Sequence, residues 1–459
     1  MAERAAEVVI VGAGVIGAAV AYDLAVNRGV RDVVLVEQGE PLSLTSDKST
    51  EAYRNWWPGP DDAMVRLMGR SIDLLEEIAL SSDNAILLNR RGYLYATADE
   101  ARLPAFCAEA EAIAALGAGE LRVHAGGRGD YEPAPAHGWQ GSPGGADLIL
   151  DRALIRRHFP YLSPAVAAVL HARRAGWLSG WQLGTWLLER ARAHGARLLR
   201  GRVTAVEQAG GRVTGVRVAA AAAGEETLAA GALVSAAGPL QAEVGRMLGL
   251  ELPLYNELHL KASIEDRLGA VPRDAPMLIW ADPVRLPWDD EERAALEEEP
   301  ELRWLLGELP AGAHTRPEGG AGASTVLLLW DYHTGKAEPR FPAPLDDQLP
   351  ELALRGLATM VPRLGAYLAG VPRAFIDGGY YTRTRENRPL VGPLPMAGAF
   401  IAGGFSGYGL MAACAAGELA GAHVTGAPLP PYAAALAPAR YDDPAYLAAL
   451  ERWGGDGQL

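Results

Sequence analysis

Residues 7–37 read EVVIVGAGVIGAAVAYDLAVNRGVRDVVLVE, and this stretch decides the fold. Two short apolar runs, 7–11 and 32–36, flank a segment, 13–28, whose apolar residues have helical spacing. Uninterrupted apolar runs suit strands buried on both faces, so the unit reads as strand, helix and parallel strand. The turn between the first strand and the helix carries Gly12, Gly14 and Gly17. The first glycine permits the tight turn, the second leaves room for a pyrophosphate against the backbone, and the third lets the helix lie close to the strand. Val15 and Ile16 open the helix, whose free N–H groups and positive dipole end favour phosphate. Glu37 closes the second strand, followed by Gln38. A carboxylate there accepts hydrogen bonds from ribose hydroxyls and repels a 2′-phosphate. The signature alone serves NAD and FAD equally.

Working outward, a hydroxyl-rich segment follows at once: Thr45, Ser46, Lys48, Ser49 and Thr50 supply hydroxyls and one cation suited to a pyrophosphate or a flavin edge. Near the other end of the chain lies a second strand, glycine loop and helix, with Gly404, Phe405, Ser406, Gly407, Tyr408, Gly409, Leu410 and Met411 spanning the loop and the helix start. An NAD dehydrogenase has no use for this second loop. A flavin does, because a helix N-terminus stabilises negative charge on the ring.

These features together resemble the D-amino acid oxidase superfamily of FAD-dependent flavoproteins, in the branch of glycine oxidase, monomeric sarcosine oxidase and dimethylglycine dehydrogenase. The resemblance spans nearly the whole chain. It rests on the opening unit, the Ser/Thr segment before Arg54, the strand end at 236–238 and the loop at 403–409. It implies an α/β fold, with a Rossmann-like FAD-binding domain and an interleaved substrate domain on a mixed or antiparallel sheet. The expected division is 1–90, 148–245 and 378–440 for the FAD domain, 91–147 and 246–377 for the substrate domain, and a tail at 441–459. It also extends the cofactor contacts to Val203, Ala237 and Gly238.

The implied reaction is oxidation of the C–N bond of a small amino acid, N-methyl amino acid or related amine to an imine, by hydride transfer to flavin N5, with O2 or another acceptor taking the electrons. Such chemistry asks the protein chiefly for orientation and a dry pocket. A carboxylate anchor is therefore the residue to seek, and the bidentate guanidinium suits it. Arg54 stands where sarcosine-oxidase-like enzymes bind the substrate carboxylate. The alternative for it is an ion pair with Glu51. Tyr381 and Arg383 are further candidates on the segment expected to pass the flavin face. Tyr332, at the end of the apolar run 325–330, is another, and His333 beside it is read as structural. His259 and Lys261 alternate on one strand face, and a core role is favoured for both.

Two departures from the family pattern bear on the site. The cysteine that tethers flavin in some sarcosine oxidases aligns with Gly379, so the FAD is expected to be non-covalent. A lysine that helps bind the carboxylate aligns with Met411, which counts against a simple sarcosine-like carboxylate clamp and points to a larger or more apolar substrate, or to none. A different class of reading is a non-catalytic flavin-binding scaffold or assembly factor of the same family, such as the one that serves mitochondrial respiratory complex I. An NAD-dependent dehydrogenase is a third.

Bulk properties fit these readings. The chain has 459 residues, 49% of them hydrophobic, enough for two or three domains at roughly 100–200 residues each. Its net charge is 42 − 56 = −14, which disfavours nucleic acid and anionic membrane surfaces as partners. Two cysteines, Cys107 and Cys414, make no disulfide framework, and with no signal-peptide pattern a cytoplasmic setting is expected. No metal-binding His/Cys spacing and no GxSxG motif occur, and no apolar run approaches the roughly 20 residues of a membrane span.

Overall fold

The structure, a computed structural model, describes residues 5–126, 131–220, 224–320, 322–332 and 334–453. Ala5–Val11 and Val33–Glu37 pair in parallel, with Val8 opposite Val33 and Val11 opposite Val36. The apolar run in each, 8–11 and 33–36, is explained by the layers on either side. On one face lie the helices Val15–Tyr22, Ala63–Ser81, Gly180–Ala193 and Gly409–Thr425, sharing a core with Ile10, Leu35, Leu67 and Leu419. On the other, Val9, Val34 and Val36 join the core formed with Val216, Leu228 and Val244.

This first sheet has eight strands among the described residues, in the order Arg202–Ala209, Arg212–Ala220, Gly224–Ser235, Ala5–Val11, Val33–Glu37, Arg197–Arg200. Ala399–Gly403 joins it in parallel beside Gly224–Ser235, and Leu390–Pro393 pairs with Ala399–Gly403. The opening unit and the closing glycine loop therefore meet on one sheet, despite lying nearly a chain length apart. Helix contact is close where side chains are small: a Cβ on Gly417 would stand 2.6 Å from the Ala19 backbone. The helical segment expected over 13–28 is α-helical at Val15–Tyr22 and widens to a π-turn at Asp23–Asn27. There Asp23 is buried against Arg28 and Asn27.

The second sheet runs Phe375–Arg383, Tyr255–Glu265, Thr325–Leu329, His314–Pro317, Met277–Trp280, Tyr93–Thr97, Ala168–Ala172, Ala146–Ile149, Leu121–His124. It mixes parallel and antiparallel pairs, as expected of the substrate domain. Its membership differs from the division expected from sequence at two places. Ala146–Ile149 and Ala168–Ala172, on or past the boundary at 148, pair with each other in this sheet, and so does Phe375–Arg383, which straddles 378. Strand runs are locally alike, and only pairing assigns them to a sheet. The acidic stretch 287–309 is helical only over Asp290–Glu298, with an Asp289/Glu292 capping box. Beyond it come a short 3-10 turn, Arg303–Leu306, and a strand, Glu308–Leu309. Among the described residues no helix is long and apolar enough to cross a membrane. His333 and the last six residues of the expected tail lie outside the described residues.

Candidate active site

The glycine turn is built as the motif requires. Gly12 has φ +101°, and a Cβ on it would stand 2.5 Å from the Ala236 carbonyl oxygen. A Cβ on Gly17 would stand 2.0 Å from the Gly12 carbonyl oxygen, so the strand–helix contact admits no side chain there. Gly14 differs from both: within 4 Å its Cβ would meet only Ser46 Oγ, at 3.1 Å. The space above Gly14 is left open, as a cradle for a ligand must be. Ser46 Oγ accepts the Val15 N–H at 3.0 Å, joining the hydroxyl-rich segment to the start of the helix. Glu37 accepts the N–H of Ala13 at 2.8 Å with one oxygen and that of Gly39 at 2.9 Å with the other. Each carboxylate oxygen keeps a lone pair for a further donor.

Three cavities follow one another from this turn. The first, about 60 Å³, is lined by Gly12, Glu37, Gln38, Val203 and Ala237. About 100 Å³ of space forms the second, lined by Gly14, Val15, Ile16, Thr45, Ser46, Ser49, Gly238 and the loop from Gly404 to Gly407 with Gly409 and Leu410. The third, about 690 Å³, takes in Lys48, Thr50, Tyr408 and Met411, and shares Tyr381 and Gly407 with the second. A narrow, glycine-walled passage thus lies between an acid-ended slot and a wide chamber. Of the residues expected at the cofactor, Gly17 alone lines none of these cavities. Its contribution is the close packing that shapes the turn. Ser406 adopts the left-handed backbone at φ +48°, and the helix Gly409–Thr425, which begins with no side-chain cap, brings Gly409 and Leu410 to the passage.

The wide chamber gathers most of the substrate candidates. Arg54, 2% exposed, lies on the short strand Ala52–Arg54 and donates from Nε to the Trp56 carbonyl at 3.1 Å. Its guanidinium carbon is 4.9 Å from the Trp57 ring centre and 5.6 Å from that of Tyr93. Glu51, the alternative partner, accepts the Gly180 N–H at 2.7 Å and lies 3.6 Å from Arg316. Tyr381 and Arg383 also line the chamber. Tyr332 does not: its hydroxyl donates to Asp346 at 2.7 Å, and its ring packs on Trp330 and Trp304. The candidate role for Tyr332 is corrected on that ground. Its neighbour Asp331 takes the place in the lining, because consecutive residues leaving a strand point to opposite faces.

An ionic cluster that sequence reading did not assemble occupies one wall. His259 Nδ1 lies 2.8 Å from Asp331 Oδ1, and Nε2 lies 3.4 Å from Glu257 Oε2. Glu257 in turn pairs with Arg383 at 3.1 Å. Burial opposes charge on the imidazole, but the two carboxylates outweigh it and raise its pKa to about 9. The hydrogen bond from His259, with Arg383 beside it, holds Glu257 below the ordinary carboxylate range. Lys261, two residues along the same strand, donates from Nζ to the carbonyls of Lys48 at 2.6 Å and Ser49 at 3.2 Å. Burial lowers its pKa, with Asp377 and Glu51 opposing. The one signal in the sequence was the period-two spacing of Glu257, His259 and Lys261 on a strand.

Comparison with known proteins bears on the family and the fold. The profile of the DAO family, described as FAD dependent oxidoreductase, matches residues 7–422. An L-proline dehydrogenase from P. horikoshii is 19% identical and superposes with a TM-score of 0.69, over 96% of this chain and 98% of that one. A glycine oxidase from Geobacillus kaustophilus gives 0.67 at 19% identity, over 93% and 96%. An iminodiacetate oxidase from a Chelativorans species gives 0.66 at 19%, over 92% and 96%. At such identities the likeness is one of fold.

Proposed function

The chain belongs to the DAO family of FAD-dependent oxidoreductases, and from that premise we propose that it oxidises the C–N bond of an amino acid, N-methyl amino acid or related amine to an imine. The observation that carries this reading is the buried Arg54 in the wall of the chamber that continues the cofactor passage. When bound, FAD supplies the acceptor, at its N5, for a hydride from the amine carbon. The protein's part is binding and orientation. Arg54 offers a carboxylate two parallel N–H donors, and the Trp57 and Tyr93 rings fix its plane. His259, charged below about pH 9 and held between two carboxylates, is a poor base at neutral pH. Burial raises the Tyr381 phenol, which stays neutral there. The residues shaping the rest of the chamber include Tyr95, Phe106, Ile113, Leu170, Ile279 and Trp280, an apolar and aromatic set that suits a substrate larger than glycine. The fold neighbours named for proline, glycine and iminodiacetate support an amine bearing a carboxylate. A panel of amino acids, N-methyl amino acids and simple amines, added anaerobically to the purified flavoprotein, tests the reading: bleaching of the yellow colour by at least one amine is expected. A flavin that no amine reduces, but that dithionite does, counts against it.

A further inference from the structure

The helix Leu103–Ile113 lends Phe106, Glu109, Ala110 and Ile113 to the lining of the large chamber. These positions follow the i, i+3, i+4, i+7 spacing of a single helix face. Three of the four are apolar, as a face turned to a chamber with aromatic walls should be. Glu109 is the exception.

Most of the other charges around the chamber have partners within the protein. Arg383 pairs with Glu257 at 3.1 Å, His259 with Asp331 at 2.8 Å and Lys48 with Asp47 at 2.6 Å. Arg102 donates to the Ala281 carbonyl at 2.7 Å and lies 3.4 Å from Asp282, while Lys261 is held by two backbone carbonyls. Glu109 makes no hydrogen bond or ion pair among the described residues. Its side chain is open to the chamber, yet desolvation holds its carboxyl above the ordinary range, with Arg102 and then Arg54 opposing. It acts in turn on Tyr95, adding to the burial that raises that phenol. Glu109, Tyr95 and Arg54 therefore face one space.

Resting on the reading of Arg54 as the carboxylate anchor, we infer that Glu109 is the subsite for a cationic group at the far end of the substrate. The substrate class is then amino acids, or their N-alkyl derivatives, that carry a second, distal ammonium or guanidinium. An exposed carboxylate with no partner of its own attracts a cation that enters the chamber, and the rings of Tyr95 and Trp280 in the same lining add faces on which a cation is attracted. A neutral chain of equal length fills the same volume but leaves Glu109 unmatched. A site built to meet a polar group rejects the analogue that lacks it.

The test compares lysine with norleucine and arginine with citrulline, each as both enantiomers, by anaerobic flavin reduction and by kcat/KM. Glu109→Gln keeps the shape and removes the charge. The wild type should favour the cationic member of each pair by about 10- to 100-fold, the worth of one charge-assisted hydrogen bond, and Glu109→Gln should erase most of that ratio with flavin content unchanged. A second arm needs no turnover: an ω-amino acid without the α-amine, and the plain carboxylic acid of equal length, are titrated against the flavin absorbance of both proteins. The ω-amino acid should bind more tightly to the wild type, and the difference should vanish in Glu109→Gln. Equal binding of the two acids by the wild type, or a preference that survives the substitution, overturns the subsite. If no amine reduces the flavin while the Glu109-dependent binding preference persists, the oxidation reading falls and the subsite stands.

Discussion

The imidazole of His259 lies flat against the ring of Tyr381, with centres 3.9 Å apart and planes 16° from parallel. The contact ties the ionic wall of the chamber to the strand that passes the cofactor passage, and it makes the protonation of His259 a property of the whole site. The His259 pKa is raised above its unfolded value, to about 9. Its charge therefore stabilises the fold fully below the unfolded value of about 6.5, and that contribution is lost as pH rises through about 9. Wild-type stability should fall across this window by on the order of 1–3 kcal/mol. His259→Gln should be less stable at neutral pH, because two carboxylates lose their cation, and should show no such fall. Denaturant unfolding of both proteins from pH 6 to pH 10 checks this, and parallel curves would remove His259 as the titrating group.

Gly14 and Gly17 should fail in different ways. Gly14→Val places a side chain where the protein leaves open space, so the protein should fold and emerge colourless. Gly17→Ala drives a methyl into the Gly12 carbonyl, so it should lose thermal stability as well as flavin. Flavin content and melting temperature, measured together, separate the two. A yellow Gly14→Val protein would mean that the phosphates lie elsewhere.

Glu37 has two tasks, since it holds the Ala13 and Gly39 N–H groups and lines the first cavity. Glu37→Ala should weaken FAD binding by about 1.5–3 kcal/mol, or roughly 10- to 150-fold in Kd. Fluorescence titration of apoprotein with FAD gives the number directly. An unchanged Kd would confine Glu37 to shaping the turn.

Arg54→Met should leave flavin content intact and lower kcat/KM for an amino acid by roughly 30- to several-thousand-fold, the equivalent of about 2–5 kcal/mol for a truncated buried ion pair. The decarboxylated amine should be affected far less. Equal losses for the two substrates would show that Arg54 shapes the chamber without touching a carboxylate.

Acid precipitation should release the flavin to the supernatant, because Gly379 offers no thiol and the described cysteines lie elsewhere, Cys414 buried and Cys107 partly so. Yellow pellets would reveal a covalent link through another side chain.

The grouping of the glycine turn, Glu37 and the second glycine loop around one passage was legible in sequence because its parts are local. Gly12, Gly14, Gly17 and Glu37 fall within one strand–helix–strand unit, and the second glycine loop announces itself by composition. The place of Arg54 in the chamber wall was legible for the same reason, as it closely follows the hydroxyl-rich segment. The ionic wall was not, because it exists only through pairing. Lys261 stands opposite Leu329 in the antiparallel ladder, and the same register brings positions 259 and 331 together past its end. Asp331 was passed over for Tyr332 because a strand's facing is invisible until its partner is known, and a one-residue error reverses it. Glu109 lay in a short helix with nothing around it to mark a site.

The strand Ala399–Gly403, beside Gly224–Ser235 in the first sheet, also sets a timetable for biosynthesis. Strand Ala5–Val11, the first described to leave the ribosome, has Val33–Glu37 as an early partner, but one wall of the passage arrives only with the loop that follows Gly403. Until the residues after Gly403 have been made, the nascent chain holds half a cradle. A ligand held in the passage can thus act only after that point, as a clamp joining two segments far apart in the polypeptide, and binding that favours the folded state stabilises it by mass action. A cell short of flavin should accumulate chains with an open seam between these two segments, prey to proteases there before anywhere else.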